Sequence, residues 1–114
     1  MTIALKGSGT NSNVVGTEHY VLNVASAGTY TFHVNKLPLT AGDVLELRIY
    51  TMVLNTTATQ VAYFTRFDGA QPTDDMVAIS VPVSTDLSTT SALVFSIKQT
   101  FGAAKTIDWK VIVY

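Results

Sequence analysis

Along residues 43–54, DVLELRIYTMVL, apolar and polar positions alternate. Leu45, Leu47, Ile49, Thr51 and Val53 fall on one side of an extended chain; Glu46, Arg48 and Tyr50 fall on the other. Successive side chains of a strand point to opposite faces, so this pattern predicts a long strand with one dry and one wet face. A helix would place Glu46 and Arg48 on nearly opposite sides and leave no apolar stripe. The same period recurs upstream. Residues 18–24 set Tyr20, Leu22 and Val24 against Val21 and Asn23, and residues 29–35 set Tyr30, Phe32 and Val34 against Thr31, His33 and Asn35. With a short Gly-containing loop between them, these two runs predict a hairpin. Downstream, Val61, Tyr63, Thr65 and Phe67 share a face of residues 60–67, which predicts a second hairpin with 43–54. Residues 76–83 resume as a strand that Pro82 ends or pushes to an edge. Residues 92–100 and 106–114 alternate around a turn that begins at Gly102.

The intervening stretches are polar. Residues 2–5 suggest a short edge strand, and KGSGTNSNVVG (6–16) reads as a loop. Residues 1–16 are thus expected to be a flexible N-terminal arm ahead of one domain at 17–114, an arm suited to ordering against a neighbouring subunit. DGAQPTDD (68–75) and STDLSTTS (84–91) read as loops. No segment predicts a helix. Seven to eight strands at such spacings predict an all-β fold, a single antiparallel β-sandwich of jelly-roll or immunoglobulin-like form. Its core is expected from Tyr20, Leu22, Tyr30, Phe32, Leu45, Leu47, Ile49, Phe95, Ile97, Trp109 and Val111.

Composition narrows the functional classes. Only 13% of the 114 residues are charged against 47% hydrophobic, so threonine, serine and asparagine must supply much of the polar surface. A net charge of −1 gives no bulk attraction to nucleic acid or an anionic membrane. No cysteine is present, which removes disulfides, thiolate metal sites and cysteine nucleophiles together. The N-terminal stretch has no apolar run of signal-peptide length and no window resembles a spanning helix, so a soluble protein is expected, intracellular or released by lysis.

Candidate chemistry is sparse. His19 and His33 lie on the polar phase of the first two long strands, but two ligands without a carboxylate do not make a metal site. Asp68, Asp74 and Asp75 surround one loop in a spacing that matches no calcium loop, and aspartate is common in turns. No Ser-His-Asp set, nucleophile elbow or phosphate-cradling glycine loop can be assembled. Glu18 and Glu46 are the only glutamates, and Glu46 is expected to pair across strands with Lys98 or Arg66. Trp109, Tyr50, Tyr63 and Tyr114 are candidates for a sugar-stacking platform. Neither a catalytic residue, a cofactor nor a metal is therefore expected.

Three stretches carry a resemblance: GTYTFHVNKLPLTAGDVLELRIYTMVL (28–54), VAYFTRFDGAQPTDD (61–75) and SIKQTFGAAKTIDWKVIVY (96–114). Their GD-x-x-ELR start to the long strand, their Gln99-Thr100-x-Gly102 turn and their Asp108-Trp109-Lys110 strand resemble small virion structural proteins of tailed bacteriophages. These are signatures of fold, not of catalysis. The resemblance implies a non-enzymatic virion protein made in the host cytoplasm, most simply a capsid decoration (cement) protein. Such proteins bind the major capsid protein on the outer shell, often as trimers, and use neither nucleic acid nor membrane. The alternative is a tail- or baseplate-associated part or a glycan-binding β-sandwich module. Contacts with a partner are expected from the arm, at Lys6, Ser8, Asn11 and Asn13, and from the polar loop, at Asp68, Gln71, Asp74 and Asp75.

Overall fold

The computed structural model describes residues 3–114. They form nine strands: β1 (Ala4–Ser12), β2 (Glu18–Val24), β3 (Gly28–Asn35), β4 (Val44–Thr51), β5 (Gln60–Asp68), β6 (Val77–Ile79), β7 (Val83–Thr85), β8 (Leu93–Phe101) and β9 (Thr106–Val113). Among the described residues there is no helix, and so none long and apolar enough to cross a membrane. A front sheet runs β1-β9-β3-β6, with β7 also on β3; a back sheet runs β2-β8-β4-β5. All pairs are antiparallel. The pairs nest: β4 with β5, β3 with β6 and β7, β2 with β8, and β1 with β9.

The two inner faces meet in one core. Tyr30, Phe32, Val34, Ile107 and Val111 come from the front sheet; Val24, Leu45, Leu47, Ile49, Leu93, Phe95 and Ile97 come from the back. Each is buried, as the alternation requires, and Phe95 packs against Phe32 at 5.3 Å between ring centroids. Burying a side chain of this size stabilises by about 1.5–3 kcal/mol.

Several elements depart from the sequence pattern. The 18–24 and 28–35 strands do not form a hairpin: β2 pairs with β8 and β3 with β9, in different sheets. Alternation reports which face is dry, not which strand lies alongside. Tyr20, expected in the core, is 61% exposed. A bulge shifts the register between Tyr20 and Leu22, so Tyr20 sits opposite Ser96 and points outward while Leu22 sits opposite Phe95.

The 6–16 segment is not a loop throughout, because β1 pairs with β9 from Ala4 to Ser12. Its glycines read as turn signals yet serve packing, since a Cβ on Gly7 would press Leu22 and one on Gly9 would press the Trp109 ring. Strand 43–54 is shorter than expected. Regular pairing stops at Thr51; Met52 N–H still bonds across to Ala92 O, Leu54 bonds back to Thr57 in the turn, and Val53 and Leu54 are exposed. The 76–83 run divides at Pro82 into β6 and β7, on two ends of β3. Between them Ser80 closes the gap: its N–H donates to Phe32 O and its hydroxyl accepts from Phe32 N–H, both at 2.9 Å.

Candidate functional site

The outer face of the back sheet carries its side chains in rows across four strands. One row is Glu18, Lys98, Glu46 and Arg66, alternating in sign from β2 to β5. The next is Tyr20, Ser96, Arg48 and Phe64. Glu46 is in register with both Lys98 and Arg66, as expected, but its closest cation is Arg48 on its own strand, at 2.9 Å. Arg48 also lies over the Phe64 ring, 4.8 Å from its centroid, and its Nη1 is buried with no hydrogen-bond partner among the described residues.

Glu18 is the centre of this face. Tyr50 Oη and Ser96 Oγ each donate to its Oε2 at 2.6 Å, and Tyr20 Oη donates to Oε1 at 3.3 Å. Burial pushes the Glu18 carboxyl up, but the donors Ser96 and Tyr50, with Arg48 nearby and Tyr20, outweigh it and hold it below the usual carboxylate range. Burial, together with the hydrogen bond to this carboxylate and its charge, pushes the Tyr50 phenol well above its ordinary value. A carboxylate so occupied by donors is a poor proton acceptor, so the cluster is a fixed polar floor and not a general base.

Above it, Tyr20 and Tyr50 stand 6.0 Å apart between centroids, with their planes tilted by 53°. They line a groove of about 310 Å³ with Asn23, Thr59, Ser91 and Val94. Ser91 has φ 63°, the one non-glycine residue in the left-handed region among those described.

The residues expected to meet a partner fall into two separate groups. Lys6 and Ser8 are exposed on β1, Lys6 donating to Ser26 Oγ at 3.2 Å. Asn11 and Asn13 turn toward the protein: Asn11 donates to Asn13 at 2.6 Å, and buried Asn13 donates to Gln99 Oε1 at 3.0 Å. Asp68 pairs with Arg66 at 2.9 Å, Gln71 donates to Gly69 O, and Asp75 reaches the buried Lys36 ammonium at 3.5 Å, while Asp74 is exposed. β1 lies at one lateral edge and the 68–75 loop joins β5 to β6 at the other, so the fold does not bring the two groups together.

His19 and His33 are likewise separated, on β2 and β3 in different sheets. His19 Nε2 accepts from Val14 N–H, and His33 lies 2.9 Å from Thr31 Oγ1. Burial, with Lys110 close by, lowers the His33 pKa below its ordinary value. Among the described residues no group of three or more His, Cys, Asp or Glu side chains is arranged to hold a metal ion.

The four aromatics of the expected platform are also dispersed. Tyr50 is on the outer back face; Tyr63 and Trp109 pack against the core; Tyr114, beyond β9, reaches Thr31 at 3.1 Å. The aromatic that joins Tyr50 is Tyr20, which the alternation alone assigned to the core. The bulge that turns it outward leaves no mark in the hydrophobic pattern. Neither a family model, nor a curated protein, nor a solved structure matches the chain.

Proposed function

We propose that this chain is a non-enzymatic structural protein of a tailed-phage virion, of the capsid-decoration type, which binds the major capsid protein on the outer shell. The observation that carries this reading is the nesting of strand pairs around the β4–β5 hairpin. We read that nesting as a jelly roll, one long hairpin rolled into two sheets, a form that recurs among viral capsid domains and lectins. The three stretches that resemble phage structural proteins fall on β3 and β4, on β5 with its following loop, and on β8 and β9, so they include the central β4–β5 hairpin and one strand of each other nested pair.

The surface fits a subunit that repeats. Residues 67–97 hold Asp68, Asp74, Asp75 and Asp86 and neither lysine nor arginine, and they include the β6–β7 edge. At the opposite edge Lys6 and Lys110 are exposed beside Asp108. Large apolar side chains are exposed near both edges: Leu5, Val14 and Val15 on one side, Val61, Val77, Ile79 and Val81 on the other. Two unlike edges favour head-to-tail contacts, which close into a ring such as a trimer where the rotation between neighbours allows it.

The test is light scattering of the purified protein followed by co-sedimentation with capsids that lack it. A trimer that pellets in near-stoichiometric ratio to the shell protein is the expected result. A monomer that stays in the supernatant would overturn the reading.

A further inference from the structure

Tyr20, on the outer wall of the groove, contributes little to holding the fold together. Tyr20 is 61% exposed, and its one hydrogen bond, to Glu18, is long at 3.3 Å. Tyr50 is anchored through its hydroxyl at 2.6 Å, so its ring is held in place before any ligand arrives and little side-chain entropy remains to be lost on binding. Asn23, Thr59 and Ser91, which carry an amide and two hydroxyls, line the groove with the apolar Val94. Ser91 holds a backbone conformation that costs about 1–2 kcal/mol for an L-residue, and strain of that kind gathers at ligand sites.

We propose that this groove binds a neutral saccharide. A sugar ring has an apolar C–H face to lie on a tyrosine ring and hydroxyls around its edge for Asn23, Thr59 and Ser91. A volume of about 310 Å³ suits a short stretch of glycan. The ionised Glu18 carboxylate beneath the tyrosines repels phosphates, sulfates and acidic sugars, and the nearby cations Lys98 and Arg48 already face Glu18 and Glu46. A proline-rich peptide would also stack on tyrosine, but it offers fewer groups to the three polar rim side chains, which would lose water without replacement. This site lies on the outer face of the back sheet and not on the β1 or β6–β7 edge, and it stands or falls independently of the capsid reading.

The experiment is a titration of the 15N-labelled protein with maltohexaose and with chitohexaose, followed by amide chemical shifts. One of the two sugars moves the amides of Asn23, Thr59, Ser91 and Val94 and leaves the β6–β7 edge unmoved. Tyr20→Ala weakens that binding about tenfold, and Tyr20→Phe, which keeps the ring, retains it. Because Tyr20 is exposed, both variants fold, and their unperturbed spectra establish that. Absence of shifts with both sugars overturns the proposal. So do shifts confined to another surface, an unchanged affinity in Tyr20→Ala, or occupation of the groove by a proline-rich peptide to the exclusion of both sugars.

Discussion

Asp43 Oδ1 accepts a hydrogen bond from the backbone N–H of Ala103 at 3.2 Å, tying the start of β4 to the β8–β9 turn. Its other carboxylate oxygen accepts from Thr40 N–H at 2.9 Å and Thr40 Oγ1 at 3.1 Å, and Lys105 Nζ lies 3.5 Å away. Its own carbonyl accepts from Gly69 N–H, so one residue holds three loops. The GD-x-x-ELR and Gln99-Thr100-x-Gly102 signatures therefore meet in space, and what joins them is mechanical. Gly102 has φ 93°, and a Cβ there would run into the Asp43 carboxylate.

Removing Asp43 should be among the most damaging single changes. The side chain is 2% exposed, and Asp43→Ala leaves buried donors and a lysine without their acceptor, at a cost of about 3–5 kcal/mol. Burial raises the Asp43 pKa, but the Thr40 bonds and Lys105 outweigh it, and the carboxyl sits below its ordinary value. A depressed folded pKa contributes stability above the unfolded value of about 4, lost as pH falls through the folded one. Urea unfolding should thus show wild-type stability falling below about pH 4. Asp43→Asn should be less stable at neutral pH and show a shallower acid limb. An unchanged acid limb in Asp43→Asn would remove Asp43 as its cause.

Gln99 forms the second joint of this corner. It is fully buried; Nε2 donates to the carbonyls of Phe101 and Ala103, and Oε1 accepts from Lys105 N–H and Asn13 Nδ2. Gln99→Glu keeps the shape but turns a carboxylate toward two carbonyls. We expect it to destabilise by at least about 3 kcal/mol at pH 7 and to recover partly as pH falls and the introduced carboxyl gains a proton. Denaturation midpoints at pH 7 and pH 4.5 measure this; equal losses at both would mean that donation to Phe101 O and Ala103 O matters little.

Much of this framework could be read in advance, and the exceptions have physical causes. The β4–β5 hairpin was legible because its strands alternate and a polar turn joins them. The partners of β2 and β3 were not, because Val24 and Tyr30 need only an opposing dry face, which either sheet supplies. Tyr20 was misplaced because a single extra residue at the bulge reverses the phase. β1 reads as an arm because Gly7, Ser8, Gly9, Asn11 and Ser12 are poor strand formers, and pairing with β9 overrides that preference. The groove was hidden because Asn23, Thr59 and Ser91 come from three distant parts of the chain.

If Gly9 is there to let β1 close over Trp109, a side chain at that position must force them apart. A Cβ there would lie 3.2 Å from the indole ring, tighter than ordinary contact. Gly9→Val should cost about 1–3 kcal/mol and shift tryptophan emission to the red as the ring gains water. Since Trp109 is the sole tryptophan, the emission reports this site alone. Ser8→Val, on an exposed position of the same strand, should leave the emission unchanged; equal effects from both would show that β1 does not lie on the ring as described.

The Glu18–Tyr50 bond makes a prediction at the other end of the pH scale. The phenol ionises well above its ordinary value in the folded protein, chiefly because it is buried and bonded to a carboxylate. A raised folded pKa contributes stability that is complete below the unfolded value of about 10 and lost as pH climbs through the folded one. Ultraviolet titration should therefore show a late step from Tyr50, well above the ordinary phenol range, that comes only as the protein unfolds in alkali. Glu18→Gln removes the charge while keeping an acceptor, so it should bring the Tyr50 step down toward the ordinary phenol range and weaken the alkaline loss of stability. Tyr50→Phe should remove the late step altogether. If the step persists in Tyr50→Phe, it belongs to another tyrosine, and the carboxylate is not what fixes the groove's inner wall.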